Sequence, residues 1–210
     1  YGNKPAFEGA GYSFLEQSFG ALATISICAG GVMGLPLVIS DYRGKNILKR
    51  YKVTPVSPAM ILLVQVTIYF LYAISSLFLL YFVAKLFFGY QFRGDIGTFL
   101  GAYILVMVSM FSIGMMVGGI APNTKMAGII ASILYFPMLI FSGATLPYEV
   151  MPNALQKTVD ILPLTQGIKL LKASSLGLGI DINVIVAPAI IMTGIAVISA
   201  AVAIRFFKWE

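Results

Sequence analysis

The chain has 210 residues, of which 59% are hydrophobic and only 10% are charged, with a formal net charge of +6. Soluble domains have about 25% charged residues, and a soluble core of this size could not bury so much apolar surface. We therefore expect an integral membrane protein. The sequence has no histidine, which excludes Ser-His and Cys-His catalysis and argues against a transition-metal site. We expect no catalytic residue and no metal ligand.

Five stretches are long and apolar enough to cross a bilayer, whose hydrocarbon core of about 30 Å needs about 20 helical residues. None has a charged residue in its central part, where one costs about 2.5–3.5 kcal/mol on insertion scales. The stretches are residues 17–39, 59–84, 96–120, 126–146 and 183–204. The sequence predicts an all-α, polytopic transmembrane bundle that forms a single domain over residues 1–210.

Basic residues indicate how the bundle is oriented. The segment 41–58, between the first two stretches, has five basic residues and one acidic residue, and Lys125, Arg205 and Lys208 fall on the same side. The positive-inside rule places this side in the cytoplasm of a multi-pass protein of the cell membrane. Residue 1 is then outside, so we expect that a sixth, N-terminal span is missing from the sequence. This clustering indicates orientation and contact with membrane lipid rather than binding of nucleic acid.

Two connections are too long to be simple turns. In the segment 41–58, apolar Ile47, Leu48 and Tyr51 alternate with basic residues, which predicts a short amphipathic helix at the membrane surface. This helix is either a docking element for a cytoplasmic partner or only a topology signal that contacts lipid headgroups. The external connection 147–181 has apolar residues at helical spacing, which predicts two short helices that enter the outer leaflet or cap the bundle.

Small residues and prolines recur inside the predicted spans. Gly114 and Gly118 form a G-x-x-x-G pattern, which lets two helices approach closely, either within the chain or at a subunit interface. Pro36 and Pro137 interrupt the first and fourth spans and favour kinks, because proline removes a helical hydrogen bond.

Methionine and aromatic side chains are frequent in the second to fourth spans, and such surfaces suit adaptable binding of apolar ligands. The alternative is ordinary packing and lipid contact. No charged residue lies in the middle of a span, which argues against a proton- or sodium-coupled carrier. The candidate substrate path or gate consists of Met110, Met115, Tyr135, Pro137, Phe141, Ser142 and Gly143.

The sequence contains no G-x-x-x-x-G-K-[ST] loop of the kind that cradles nucleotide phosphates. We therefore expect that the chain does not hydrolyse ATP by this route. Energy for transport would come from a partner subunit or an ion gradient.

Two motifs on opposite faces resemble those of type-2 ATP-binding-cassette exporter permeases. The first is the run 41–57, which ends in Thr54-Pro55-Val56-Ser57, and the second comprises Ser142-Gly143, Pro147, Met151-Pro152 and Pro163-Leu164-Thr165. The resemblance covers nearly the whole chain from Gln17 onward. It implies six spans, a second copy of the permease or a related permease, and two separate cytoplasmic ATPase subunits that hold ATP and Mg²⁺.

The resemblance also implies that the basic segment is a coupling helix seated in a groove of the ATPase. Its docking residues would be Lys45, Ile47, Leu48, Lys49, Arg50 and Tyr51. The expected function is ATP-driven export of a drug, a lipid or another amphipathic substrate. The alternative is a non-transporting membrane module, such as an assembly or sensor subunit, whose basic loop binds a cytoplasmic regulator.

Overall fold

The computed structural model describes residues 13–45, 47, 58–142, 152, 156, 158–178 and 182–206. Its α-helices are α1 (Phe14–Cys28), α2 (Leu35–Gly44), α3 (Pro58–Phe88), α4 (Ile96–Ile120), α5 (Thr124–Phe141), α6 (Pro163–Leu176) and α7 (Ala187–Phe206). A π-helical turn, Ala29–Gly34, joins α1 to α2, and a second, Ile182–Val186, precedes α7. Within the described residues, five helical stretches are long and apolar enough to cross a membrane, α1 and α2 forming one of them, which confirms the predicted all-α polytopic bundle.

The first span, Phe14–Gly44, is longer at both ends than the sequence predicts. Its start is fixed by a capping box: the Ser13 hydroxyl accepts a bond from the Glu16 backbone N–H, and the Glu16 carboxylate accepts one from the Ser13 N–H. At the other end the helix continues through Asp41 to Gly44, where the sequence predicts the start of the cytoplasmic loop. The loop therefore begins about one helical turn later than predicted.

Both π-helical turns end two residues before a proline, at Gly34 before Pro36 and at Val186 before Pro188. Proline has no N–H to donate, and its ring crowds the carbonyl four residues earlier. Around the first turn the Leu35 N–H donates to the carbonyl five residues back, at Gly30, as in a π-bulge. The predicted interruption at Pro36 thus takes the form of a widened turn, whereas Pro137 lies inside α5.

Helix α4 is the central helix of the bundle. In its most apolar stretch 56% of the residues are buried, compared with 6% in α3. A Cβ atom at Gly114 would collide with the carbonyl oxygen of Gly31, and one at Gly118 would lie 3.0 Å from Cβ of Ile39. The G-x-x-x-G pattern therefore lets α4 pack directly on the backbone of the first span, which is the within-chain alternative.

Two buried hydroxyl groups tie α4 to its neighbours. The Tyr103 hydroxyl donates to the Ala73 carbonyl of α3 over 2.7 Å, and the Ser109 hydroxyl donates to the Met192 carbonyl of α7 over 2.7 Å. Both acceptors lie inside helices, where one carbonyl can accept a second bond. Each such bond between helices stabilises a membrane bundle by about 0.6 kcal/mol on average.

Helix α6 enters the bundle without crossing it. Its 14 residues are about 21 Å long at 1.5 Å per residue, short of the roughly 30 Å hydrocarbon core. Eleven of the 14 residues of α6 are buried, and the helix packs against α1, α4 and α7. The close approach depends on Gly20, since a Cβ atom there would lie 2.7 Å from the backbone nitrogen of Lys172. This confirms the second of the predicted short helices; most of the first lies outside the described residues.

The connection from α3 to α4 is held by polar contacts. The Arg93 Nε donates to the Glu16 carboxylate over 2.9 Å, and Asp95 caps α4 by accepting bonds from the Thr98 N–H and hydroxyl. These bonds hold the pKa of the Asp95 carboxyl below its usual value. A lowered pKa means that the charged cap is lost only when the pH falls below the ordinary range of an aspartate, so the cap persists at neutral pH.

Candidate functional site

The end of the bundle where α2 ends, α3 begins and α4 meets α5 is called the basic end, because the predicted coupling segment leaves from it. At this end the Arg43 side chain is 92% buried, with only 8% of its surface exposed. One guanidinium nitrogen donates to the carbonyls of Gly118 (3.2 Å) and Gly119 (2.8 Å), and the other donates to that of Ala121 (2.8 Å). We call this arrangement the Arg43 clamp.

The clamp uses the physical properties of a helix end. The last four carbonyls of an α-helix have no hydrogen-bond partner inside the helix, and the partial negative charge there attracts a cation. Arg43 supplies both the donors and the charge, and the hydroxyl of Ser40 lies 3.5 Å from the Gly118 carbonyl oxygen as well. The clamp therefore fixes the end of α2 to the junction between α4 and α5.

The predicted docking residues start at Lys45, two residues after Arg43. Lys45 forms an ion pair of 2.7 Å with Asp41 one turn earlier, and 66% of the Lys45 side chain is exposed. A surface pair of this kind stabilises a helix by about 0.3–0.5 kcal/mol. Ile47 is helical and partly buried. The other predicted docking residues, Leu48, Lys49, Arg50 and Tyr51, lie outside the described part of the chain.

A crevice runs between the first span and α3. It contains a cavity of about 610 Å³ at the basic end and a smaller one of about 170 Å³ deeper in the bundle, and Tyr69 and Tyr72 line both. At the mouth, the Gln65 amide donates to the Tyr42 hydroxyl over 2.7 Å. We call this feature the tyrosine crevice. Its deeper walls include Ser26, Gly30, Ser76 and Phe111.

The tyrosine crevice is long enough to cover about half the thickness of a bilayer. From Gln65 to Ser76 the α3 helix advances by about 16 Å at 1.5 Å per residue, half of a hydrocarbon core of about 30 Å. The ring of Tyr69 packs on the π-helical turn, where a Cβ atom at Gly34 would lie 2.8 Å from it. Apolar walls with a few hydroxyl groups suit an amphipathic ligand, and π-bulges are frequent at functional sites.

Comparison with known proteins identifies the family. Residues 5–176 match the family of ABC-2 type transporters. The chain belongs to that family. It is a membrane permease component of an ABC transporter, and such permeases work with ATP-binding partners. Searches of curated proteins and of solved structures gave no match.

The predicted path residues of the permease lie apart from the tyrosine crevice. Met110 is fully buried where α4 crosses the first span, and its Cβ lies 3.1 Å from where a Cβ at Gly31 would be. Of the six predicted path residues that the structure describes, none lines either cavity of the crevice. The role of the predicted residues in the substrate path or gate stays a prediction. Met115 and Tyr135 are partly buried, Pro137 and Phe141 are exposed, Ser142 is buried, and Gly143 lies outside the described residues.

Sequence reasoning missed the Arg43 clamp and the two tyrosines of the crevice. Arg43 was assigned to the loop because basic residues follow it closely, and its acceptors lie 75 to 78 residues away in the chain. Tyr69 and Tyr72 were grouped with other aromatic residues of the second span. Gly30 and Gly34 of the first span were a usable signal, since small residues let a neighbouring helix approach closely, and the Tyr69 ring lies against both.

Proposed function

We propose that this permease is the membrane subunit of an ATP-driven exporter. In the complex it pairs with a second copy or a related permease, above two separate cytoplasmic ATPase subunits that hold ATP and Mg²⁺. The basic end faces the cytoplasm, as the positive-inside rule favours. The observation that carries the proposal is the Arg43 clamp, because it connects the predicted docking segment to the central helix of the bundle.

Coupling follows from that connection. The docking segment, residues 45–51, moves with the ATPase and pulls on the end of α2. Since Arg43 holds the carbonyls of Gly118, Gly119 and Ala121, a displacement of α2 also displaces the junction of α4 and α5. The first span is continuous with α2 through the π-helical turn, so the same movement changes the wall of the tyrosine crevice. The permease supplies geometry and a binding surface, and ATP hydrolysis occurs in the partner.

The proposed substrate is a drug, a lipid or another amphipathic molecule. It enters the tyrosine crevice at the basic end, from the cytoplasm or the inner leaflet, and leaves on the opposite side. Two features support this class: the walls are mainly apolar, and the polar groups of Tyr42, Gln65, Tyr69 and Tyr72 lie at or near the mouth.

Co-purification with the ATPase tests the proposal. We expect a cytoplasmic ATP-binding subunit to purify with the full-length permease from detergent, and the variant Lys49→Ala/Arg50→Ala/Tyr51→Ala to lose it, because the docking face would lack its charge and its aromatic anchor. Lys125→Ala is the control, since Lys125 is an exposed cation of the basic end outside the docking segment. If no ATPase accompanies the unmodified protein, the exporter proposal is wrong and the membrane-module alternative takes its place.

The tyrosine crevice gives a separate prediction. With the ATPase present, Tyr72→Ala is expected to reduce both dye-stimulated ATP hydrolysis and ATP-dependent uptake of Hoechst 33342 into inside-out vesicles by about tenfold. The reason is that a bound substrate would bury the aromatic ring of Tyr72, and burial of one large apolar side chain contributes about 1.5–3 kcal/mol. Phe87→Ala is the matched control: Phe87 is on the same helix, is 75% exposed and is absent from both crevice linings. Equal transport by both variants would contradict a role of the crevice in substrate binding.

A further inference from the structure

At the opposite end of the bundle from the coupling segment, a cavity of about 860 Å³ opens between α3, the start of α4 and the start of α1. This volume is in the range of sites that hold small ligands, about 300–1,000 Å³. Its walls are mainly aromatic and aliphatic side chains, and among the residues that the structure describes Lys85 is the one cation in the lining. The cavity shares no residue with the linings of the tyrosine crevice, so the proposed transport function does not account for it.

The cavity has a polar end and an apolar end. Lys85 and Gln91 line it where α3 finishes, and Ile74 lines it about halfway along α3. These two levels are eleven residues apart on α3, which is about 16 Å along the helix axis. One leaflet of a hydrocarbon core has about the same depth, since the whole core is roughly 30 Å thick. The cavity therefore extends from the headgroup level to the middle of the bilayer.

Lys85 lies at the mouth of the cavity, near the end of α3. Its Nζ is 3.5 Å from the Tyr81 hydroxyl oxygen and 5.6 Å from the centre of the Tyr81 ring. Within the described part of the chain, no carboxylate forms an ion pair with Lys85. Arg93, the next cation along the chain, is by contrast paired with Glu16. The positive charge at the cavity mouth is therefore available for an anion.

The floor of the cavity is made of packed aromatic rings. The ring of Phe19 stacks on that of Tyr90, with 4.5 Å between centroids, and also lies 5.9 Å from that of Phe99. Burial raises the pKa of the Tyr90 hydroxyl above its ordinary value, so it stays neutral and adds no negative charge. A neutral, aromatic surface below a single cation matches a ligand with an anionic head and an apolar tail.

We propose that this cavity binds a membrane lipid with an anionic phosphate headgroup. The phosphate lies at Lys85, within reach of Tyr81 and Gln91, and an acyl chain runs along Phe78 toward Ile74. On the proposed orientation this is a lipid of the outer leaflet. The site is separate from the coupling segment and the tyrosine crevice, so it does not require the ATPase.

Fluorescence quenching tests the site in the full chain. The sequence contains one tryptophan, Trp209, so the pair of changes Trp209→Phe and Phe78→Trp places a single reporter in the cavity wall. The probes are phosphatidylglycerol and phosphatidylcholine with brominated acyl chains, in detergent micelles. We expect half-maximal quenching at an about five-fold lower fraction of phosphatidylglycerol, the preference that one lysine gives near an anionic headgroup.

Two variants separate this site from general lipid contact. Lys85→Gln is expected to abolish the preference for phosphatidylglycerol, whereas Lys125→Gln, which removes one exposed charge at the basic end, is expected to keep it. Native mass spectrometry of the chain without the reporter should give the same order of lipid retention. The proposal is overturned if the preference survives in Lys85→Gln, or if both lipids quench the reporter equally while Lys85 is present. Absence of quenching by either lipid also overturns it, because another segment then fills the cavity.

Discussion

Replacing Arg43 with alanine is expected to lower the free energy of unfolding by about 3 kcal/mol and to uncouple ATP hydrolysis from transport. The substitution leaves the carbonyls of Gly118, Gly119 and Ala121 without their guanidinium donors, and each buried acceptor that loses its partner costs about 1–3 kcal/mol. Water at the membrane surface recovers part of that cost. The stability effect is read from thermal unfolding in detergent, with the unmodified permease alongside.

Two neighbouring substitutions make the interpretation specific. Arg43→Lys keeps the charge but cannot reach three carbonyls with one ammonium group, so an intermediate loss is expected. Lys45→Ala removes the exposed pair with Asp41, which is worth well under 1 kcal/mol, and should leave thermal unfolding unchanged. A fall in stability no larger for Arg43→Ala than for Lys45→Ala would show that the clamp does not hold the basic end together.

The coupling role has its own measurement. In the complex with the ATPase, Arg43→Ala is expected to keep partner binding, since the docking residues 45–51 are intact, but to lose transport per ATP hydrolysed. A clamp that acts only on stability would lower the amount of folded complex and leave that ratio unchanged. The ratio of Hoechst 33342 uptake to phosphate release therefore distinguishes coupling from folding.

Most of the fold follows from the sequence because lipid imposes one simple requirement. A membrane span needs about 20 apolar residues with all backbone groups bonded inside the helix, and the five stretches that satisfy this are the five long helices. Charge distribution alone suggested the extent of the basic loop. It placed the end of the first span at residue 39 instead of Gly44, because a charged residue near a helix end looks like loop until its partner is known.

The candidate site is less accessible to sequence reasoning because it depends on contacts between distant helices. Arg43 and the end of α4 meet only when the first span packs on Gly114 and Gly118. Tyr69 and Tyr72 look like any aromatic residues of a lipid-facing helix, and α3 is indeed mostly exposed. Their position beside the π-helical turn distinguishes them. The turn itself could be expected from Pro36, but its side-chain neighbours could not.

Gly114→Ala is expected to destabilise the permease by about 3 kcal/mol and to disturb the packing of the first span on α4. The new Cβ atom would collide with the carbonyl oxygen of Gly31, which belongs to the backbone and cannot rotate away. The helices would have to separate, and overpacking of this kind costs about 1–3 kcal/mol, occasionally more. Because the same contact sets the position of the clamp, coupling to the ATPase should fall with stability.

Gly101 offers a matched control on the same helix. A Cβ atom at Gly101 has open space around it, and alanine is favoured over glycine inside a helix by about 0.5–1 kcal/mol. Gly101→Ala is therefore expected to leave thermal unfolding unchanged or raise its midpoint slightly. The two substitutions are expected to change thermal stability differently, which separates the effect of helix contact from that of helix propensity. Equal effects at both positions would mean that α4 does not pack on the backbone of the first span, and the route from docking segment to bundle would then have to be sought elsewhere.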